Sequence, residues 1–311
     1  MKKLNKLRKS KLQTTLSIIL ALTLLFITSG CGNTATSDSS GSDEIAIATK
    51  GFAESDILAN IIKQLIENET DLKTNIKTLD NKLLWDAIAS GEIDTYVEYT
   101  GTALINLLKH DPIYDADKVY STVSEQLKEK YKITTLDPIG FNNTYAFTIQ
   151  KDKADKYNIK TISDLAKVSD QLVLGASQEY IKRPDSWPIL EKTYHLKFKE
   201  IKSIQEKSLQ FQAVKQNLIN SMIAYSTDSQ IPQNGLVTLK DDKNVFLPYN
   251  AVPIIRDETL NKHPELKNIL NKLSGKITDE DMQKLNGEVE LKQRPAADVA
   301  KEWLQQQGLI K

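Results

Sequence analysis

The chain has 311 residues, with 41 basic and 41 acidic side chains and a single cysteine. Six of the basic residues lie in the first eleven positions. Without them the chain keeps 35 basic against 41 acidic residues and is mildly acidic. This balance argues against a nucleic-acid partner, since binding to phosphates depends on an excess of Lys and Arg. One cysteine makes no intramolecular disulfide, and the length is enough for two modest domains.

The first thirty residues have the three-part layout of a secretory signal. A basic start is followed by an apolar run from Leu16 to Ile27, which is short for a membrane span of about 20 residues. Small residues then precede Cys31 in "TSGCG". We interpret this as a bacterial lipobox, with cleavage before Cys31 and a lipid on its sulfur. The alternative is a spare thiol, and Thr28 departs from the usual Leu.

This interpretation divides the N-terminal part into a signal peptide, residues 1–30, and a flexible tether, residues 31–43, which is rich in Ser, Thr and Gly. One acyl chain anchors weakly, so stable membrane attachment through Cys31 needs two or more. The expected location is the outer face of the cytoplasmic membrane of a Gram-positive cell.

From Glu44 onward, predicted strands and helices alternate. The strands are expected at 44–49, 72–79, 93–99, 144–150, 172–177, 221–226, 236–242 and 245–256. The helices are expected from Glu54 or Ser55, at 81–91, from 101, at 119–131, after a Ser163 cap, at 187–196, at 209–220, from Glu258 onward and at 295–309. This alternation predicts an α/β protein with mixed, mainly parallel sheets covered by helices. Two such units of similar size would enclose a hinged cleft, with ligands at the carboxyl ends of strands.

The sequence has no strong signal for catalysis. His110, His195 and His263 show no metal-ligand spacing, and neither a Walker loop nor a GxSxG elbow is present. Pairs of carboxylates on predicted helices are typical of solvated faces. We therefore expect a protein that is not an enzyme and that needs no metal and no cofactor.

Four of the eleven tyrosines occur where a predicted strand ends or crosses between the two units. They are Tyr99, Tyr145, Tyr225 and Tyr249. Taken singly, each is more often a half-buried packing residue, but the shared position favours a binding surface. A trimethylammonium group has no N–H to donate, whereas each aromatic face can attract it by about 0.5–2 kcal/mol. Tyr96, inside the strand, is expected to pack instead.

Three other side chains are candidates for an anionic group. Lys50 directly follows the first strand, Arg183 follows the strand of the second unit, and Thr102 begins a helix where free N–H groups can receive an anion. For Lys50 and Arg183, ordinary surface charge is the alternative.

Several motifs together resemble one known family. They are "ATKGFAES", "WDAIASGEIDTYVEYTGT", "NNTYAF", "AYSTDSQI", "LPYNAVPIIR" and "KHPELKNILNKLSGKITDEDMQKLN". From about Ile45 to the C-terminus, the chain resembles the compatible-solute-binding proteins of bacterial ABC transporters, which take up glycine betaine, carnitine, choline and related osmoprotectants. The resemblance implies a two-lobed periplasmic-binding-protein fold of type II, formed by residues 44–145 with 250–311 and by residues 146–249.

The resemblance also implies roles for particular residues. The aromatic cage around the quaternary ammonium falls on the four tyrosines, with Asn143 at a position that often carries an acidic or amide residue. In betaine-binding members a Lys, a Thr and an Arg hold the carboxylate, and these fall on Lys50, Thr102 and Arg183. Lys182 is a neighbouring candidate for the last role.

These residues imply a zwitterionic ligand, such as glycine betaine, carnitine or proline betaine, over choline, because choline-preferring members tend to carry Gln in place of Lys50. A buried lysine without a carboxylate partner is costly. The expected protein is a monomeric, lipid-anchored binding protein that delivers its ligand to a membrane permease. The alternatives are a choline-preferring member, an amino-acid receptor, and a lipoprotein enzyme or adhesin.

Overall fold

The computed structural model describes residues 44–182 and 186–311. The predicted signal peptide, tether and Cys31, as well as Arg183, lie outside the described residues. The strands are β1 (Glu44–Thr49), β2 (Lys73–Thr78), β3 (Thr95–Tyr99), β4 (Ile133–Thr135), β5 (Tyr145–Gln150), β6 (Val173–Ala176), β7 (Glu200–Ser203), β8 (Ser221–Tyr225), β9 (Leu236–Thr238) and β10 (Ala251–Arg256).

Helices connect most of these strands. They are α1 (Ala53–Glu69), α2 (Asn81–Ser90), α3 (Thr100–Thr102), α4 (Ala116–Tyr131), α5 (Lys151–Tyr157), α6 (Ile162–Ala166), α7 (Gln178–Lys182), α8 (Trp187–Tyr194), α9 (Lys207–Lys215), α10 (Gln230–Gln233), α11 (Asp257–Lys262), α12 (Glu265–Asn271), α13 (Asp279–Glu290) and α14 (Ala296–Gln306). Within the two described ranges, none of these helices is long and apolar enough to cross a membrane.

The strands form two five-stranded sheets. The first has the order β2-β1-β3-β10-β4 and the second has the order β7-β6-β8-β5-β9. In each sheet the first two pairings are parallel and the last two are antiparallel. Two mixed sheets were expected, although parallel and antiparallel pairings are equally frequent and parallel ones do not predominate.

Two segments of the chain connect the sheets, one between β4 and β5 and the other between β9 and β10. They pair with each other through an antiparallel bridge between Asn142 and Asn250. The Tyr249 N–H donates to Asn142 Oδ1 at 2.6 Å, and the Asn143 N–H donates to the Tyr249 carbonyl at 3.1 Å. The residues on either side of both connections are thereby held close together.

Helix α1 shows how the sequence pattern positions an element. Its apolar stripe, predicted from the 3.6-residue period, is buried in the core of the first sheet and consists of Ile57, Leu58, Ile61, Ile62, Leu65 and Ile66. Burying a side chain of this kind stabilises the fold by about 1.5–3 kcal/mol. The helix therefore presents its N-terminal turn to the end of β3.

Some local predictions were wrong. The cap of α6 is Thr161, which forms a capping box with Asp164, and the predicted Ser163 cap does not occur. The helix predicted from residue 101 is a short α-turn followed by a π-helix, Ala103–Leu107. The last predicted strand begins only at Ala251, so Tyr249 lies in a connecting segment. Helix α9 begins at Lys207, two residues earlier than expected.

Candidate functional site

A cavity of about 700 Å³ is lined by residues from both sheets and from the segments that connect them. The end of β3 contributes Tyr99, the start of β5 contributes Tyr145, the end of β8 contributes Tyr225, and the segment before β10 contributes Tyr249. The structure thus brings the four predicted tyrosines to one cavity. Asn143 and Thr102 also line it.

Tyr99 is the most buried of the four tyrosines in this cavity. Its side chain is only 6% exposed, and its hydroxyl donates a short hydrogen bond to Glu54 Oε1. Burial, and secondarily the Glu54 carboxylate, raises the pKa of Tyr99 well above its usual value. The phenol therefore stays neutral and keeps its hydrogen for Glu54. Tyr96, which is fully buried, donates to Glu98 and packs in the core as expected.

Glu54 is a buried carboxylate that three donors hold in place. Besides the Tyr99 hydroxyl, Asn143 Nδ2 donates to its Oε1 at 2.8 Å and Asn286 Nδ2 donates to its Oε2 at 3.2 Å. Glu54 is 2% exposed and still lines the cavity. No Lys or Arg forms an ion pair with it within the part of the chain that the structure describes. A negative charge thus borders the cavity beside the Tyr99 ring.

Tyr145 and Tyr225 form a second aromatic wall. They are partners in the β5–β8 register, and their rings stack with centroids 5.3 Å apart and an interplanar angle of 17°. The ammonium of Lys207 lies over the Tyr225 ring, 3.8 Å from its centroid. The Tyr225 ring therefore contacts the Tyr145 ring and the ammonium of Lys207.

The Tyr249 ring packs closely against the backbone of Gly101. A Cβ atom at Gly101 would lie 2.7 Å from the Tyr249 ring and 2.7 Å from the Pro248 carbonyl oxygen. Only glycine leaves room for this contact. The "TGT" turn after β3 therefore places Tyr249 and Thr102 on the same cavity.

Lys50 does not line the cavity. Its Nζ lies 2.5 Å from Glu98 Oε1 in an ion pair whose two side chains are 6% and 4% exposed. It also lies 4.9 Å from the centroid of the Tyr99 ring. Lys50 thus lies beside the Tyr99 ring but outside the residues that line the cavity. The contacts of Lys50 and of Arg183 with a ligand carboxylate remain predictions.

Several cavity residues were not predicted as site residues from the sequence, among them Glu54, Lys207 and Asn286. Glu54 occurs in the motif "KGFAES", but an acidic residue in the first turn of a helix is also explained by the helix dipole. Lys207 and Asn286 are surrounded by ordinary helical sequence. Of these three residues, only Glu54 had a local sequence signal for a site residue, because it closely follows a turn that contains glycine.

The described residues contain no group of three or more His, Cys, Asp or Glu side chains that could hold a metal ion. The chemistry available in the cavity is that of aromatic faces, amides, hydroxyls and charged side chains. Such a cavity can bind a cationic group.

Tyr99→Phe tests the contact between the phenol and Glu54. We expect the free energy of unfolding to fall by about 1–2 kcal/mol, because one donor to a buried carboxylate is lost while the ring remains. Urea unfolding measures the change. Tyr114→Phe, at a tyrosine that is 42% exposed, should change stability by less than about 0.5 kcal/mol. Equal stability of the two variants would contradict the proposed contact.

The two sheets, the paired segments that connect them and the cavity lined from both sheets define a two-lobed ligand-binding protein of the periplasmic type II fold. Residues 43–306 match the family described as the substrate binding domain of the ABC-type glycine betaine transport system, and the chain belongs to this family. The family membership makes it a transport substrate-binding protein.

Comparisons with individual proteins agree with this assignment. The chain is 39% identical over 305 residues to the carnitine transport binding protein OpuCC of Listeria monocytogenes, covering 96% of this chain and 97% of that one. It is 35% identical to the ergothioneine transport permease/ergothioneine binding protein EgtU of Helicobacter pylori, covering 85% of this chain and 48% of that protein. A crystal structure described as a glycine betaine/carnitine/choline ABC transporter has a TM-score of 0.81 and 34% identity, covering 86% of this chain and 99% of that one.

Proposed function

We propose that the protein captures quaternary-ammonium osmoprotectants, such as glycine betaine, carnitine and proline betaine, and delivers them to the permease of an ABC importer. One observation carries the proposal. Four tyrosines that are distant in the sequence line the same cavity, and a buried carboxylate, Glu54, stands beside the first of them.

The chemistry of this cavity fits a trimethylammonium group. Such a group has no N–H, so aromatic faces are its natural partners, each contributing about 0.5–2 kcal/mol. Glu54 adds a negative charge that cannot be screened well, because water has little access to it. In this proposal the amide of Asn143 holds the Glu54 carboxylate in place. The site therefore keeps a negative charge, from Glu54, although Asn143 itself is neutral.

The names of relatives support the ligand class. The Listeria relative is named for carnitine, and the family description and the similar crystal structure name glycine betaine. The relative named for ergothioneine indicates that members differ in their ligands. We propose a zwitterion over choline for this chain, with Thr102 at the anionic end and with Lys50 and Arg183 as further candidates.

We also propose a division into lobes and a lipid anchor. Residues 44–145 with 250–311 would form one lobe and residues 146–249 the other, which is supported by the distribution of strands between the two sheets. Closure of the lobes would enclose the ligand. Lipidation of Cys31 would hold the protein, as a monomer, at the outer face of the membrane near its permease.

Calorimetric titration of the purified protein with glycine betaine, carnitine, choline and glycine tests the proposal. We expect glycine betaine or carnitine to bind at least tenfold more tightly than choline, and glycine to show no binding. Glycine is the matched control, because it carries the carboxylate but has a primary ammonium in place of the trimethylammonium group. Binding of glycine as tight as that of the betaines, or binding of none of the quaternary ligands, would contradict the function.

A further inference from the structure

Lys207 is the unexpected cation of the cavity. It begins α9 and is the one Lys or Arg among the described residues that line the 700 Å³ cavity, where three carboxylates also occur: Glu54, Asp228 and Glu290. It makes no ion pair within residues 44–182 and 186–311. Its ammonium instead lies on the ring of Tyr225, 3.8 Å from the centroid.

Partial burial supports the functional importance of this position. Burial lowers the pKa of Lys207, while the nearby charge of Asp228 opposes that shift. Burial likewise raises the pKa of Asp228. Within the described ranges neither Lys207 nor Asp228 forms a hydrogen-bonded ion pair. The Lys207 ammonium can therefore exchange one partner for another.

A ligand cation would compete with the Lys207 ammonium for the ring of Tyr225. If a trimethylammonium group used this ring as well, two positive charges would lie within a few ångströms of each other and would repel. The Lys207 ammonium must therefore leave the ring or gain an anionic partner. A zwitterionic ligand brings such a partner, and choline does not.

The other charges of the cavity limit where a ligand carboxylate can go. Glu54, Asp228 and Glu290 all repel it. Lys50 is already paired with Glu98 and stands behind Tyr99. Among the described lining residues, Lys207 alone offers a carboxylate a positive charge.

Resting on the proposed function, we propose that Lys207 is a specificity-determining residue that exchanges the Tyr225 ring for the carboxylate of the ligand. The site then selects trimethylammonium carboxylates and disfavours trimethylammonium alcohols. Lys207 also borders a neighbouring cavity of about 350 Å³ that shares Tyr145 and Tyr225 with the main one. The side chain has room on that side to move off the ring.

Calorimetric titration of the full-length protein with glycine betaine and with choline tests this role. In Lys207→Met we expect glycine betaine to bind at least tenfold more weakly, while choline binds equally well or more tightly. Lys207→Arg, which keeps the charge, should retain the preference for glycine betaine. Lys207→Gln serves as a second neutral variant if the Met variant does not fold, as judged by thermal unfolding.

Lys215→Met is the matched control, because Lys215 ends the same helix, is exposed and lines neither the 700 Å³ nor the 350 Å³ cavity. It should bind both ligands as the unaltered protein does. Equal losses for glycine betaine and choline in Lys207→Met, or unchanged binding of both, would overturn the role of Lys207 and leave the proposed function intact. Failure of the unaltered protein to bind either ligand would instead overturn the proposed function.

Discussion

Replacing Lys50 with alanine is expected to lower the free energy of unfolding by about 3 kcal/mol. The change leaves the Glu98 carboxylate buried without its cation, and breaking a buried ion pair costs about 3–5 kcal/mol. We expect the lower end of this energy range because Glu98 keeps hydrogen bonds from the Tyr96 hydroxyl at 3.0 Å and the Tyr99 N–H at 2.7 Å. Urea unfolding measures the loss.

Lys63→Ala is the matched control for this prediction. Lys63 is also paired with a glutamate, Glu67, but these side chains are 31% and 37% exposed. Exposed pairs contribute about 0–1 kcal/mol, so this variant should lose much less stability. A similar loss in both variants would contradict the structural role of Lys50.

The same Lys50 variant separates a structural role from ligand contact. A greater loss of affinity for glycine betaine than for choline would support the predicted contact with the ligand carboxylate. Equal losses would mean that Lys50 acts only through Glu98 and the position of Tyr99.

Replacing Glu54 with glutamine is expected to weaken the binding of every quaternary-ammonium ligand by about tenfold to a hundredfold. A cation against the Tyr99 ring would lie roughly 6 Å from the carboxylate, where two charges interact by about 2–3 kcal/mol at an effective dielectric constant near 20. Each 1.4 kcal/mol corresponds to about a factor of ten in affinity. Glutamine keeps the size of the side chain and removes its charge.

Calorimetry with glycine betaine and choline measures this effect. Both ligands should lose affinity to a similar extent, because both carry the cation, whereas Lys207→Met should separate them. Glu129→Gln, at an exposed glutamate of α4, is the matched control and should change neither affinity. Unchanged binding in a folded Glu54→Gln protein would remove the carboxylate from the site.

Local sequence patterns predicted most of the elements. The stripe of isoleucines and leucines in α1 repeats with the helical period, and all six residues are buried as expected. Errors occurred where several local solutions were compatible with the pattern. Thr161 and Ser163 could each cap a helix, and only the capping box with Asp164 decides for Thr161.

The ion pair of Lys50 was not evident from the sequence. A lysine after a strand is compatible with an exposed position, with a ligand contact and with a buried pair. The decision depends on Glu98, which is 48 positions away and faces the same interior only because β1 and β3 are neighbours in the sheet. Sheet order is a property of packing and has no local signature in the chain.

What the sequence alone determined was most of the elements with their buried faces, the family and the candidate tyrosines, because periodicity and short motifs are local properties. The short strands β4 and β7 and the short helix α5 were not predicted. Only the tertiary structure decided which charged and polar residues surround those tyrosines. Glu54 meets Asn143, 89 positions away, and Asn286, 232 positions away. Lys207 reaches the Tyr225 ring. These contacts form because the chain passes twice between the two sheets. Residues that are distant in the sequence become neighbours only when the tertiary structure has packed.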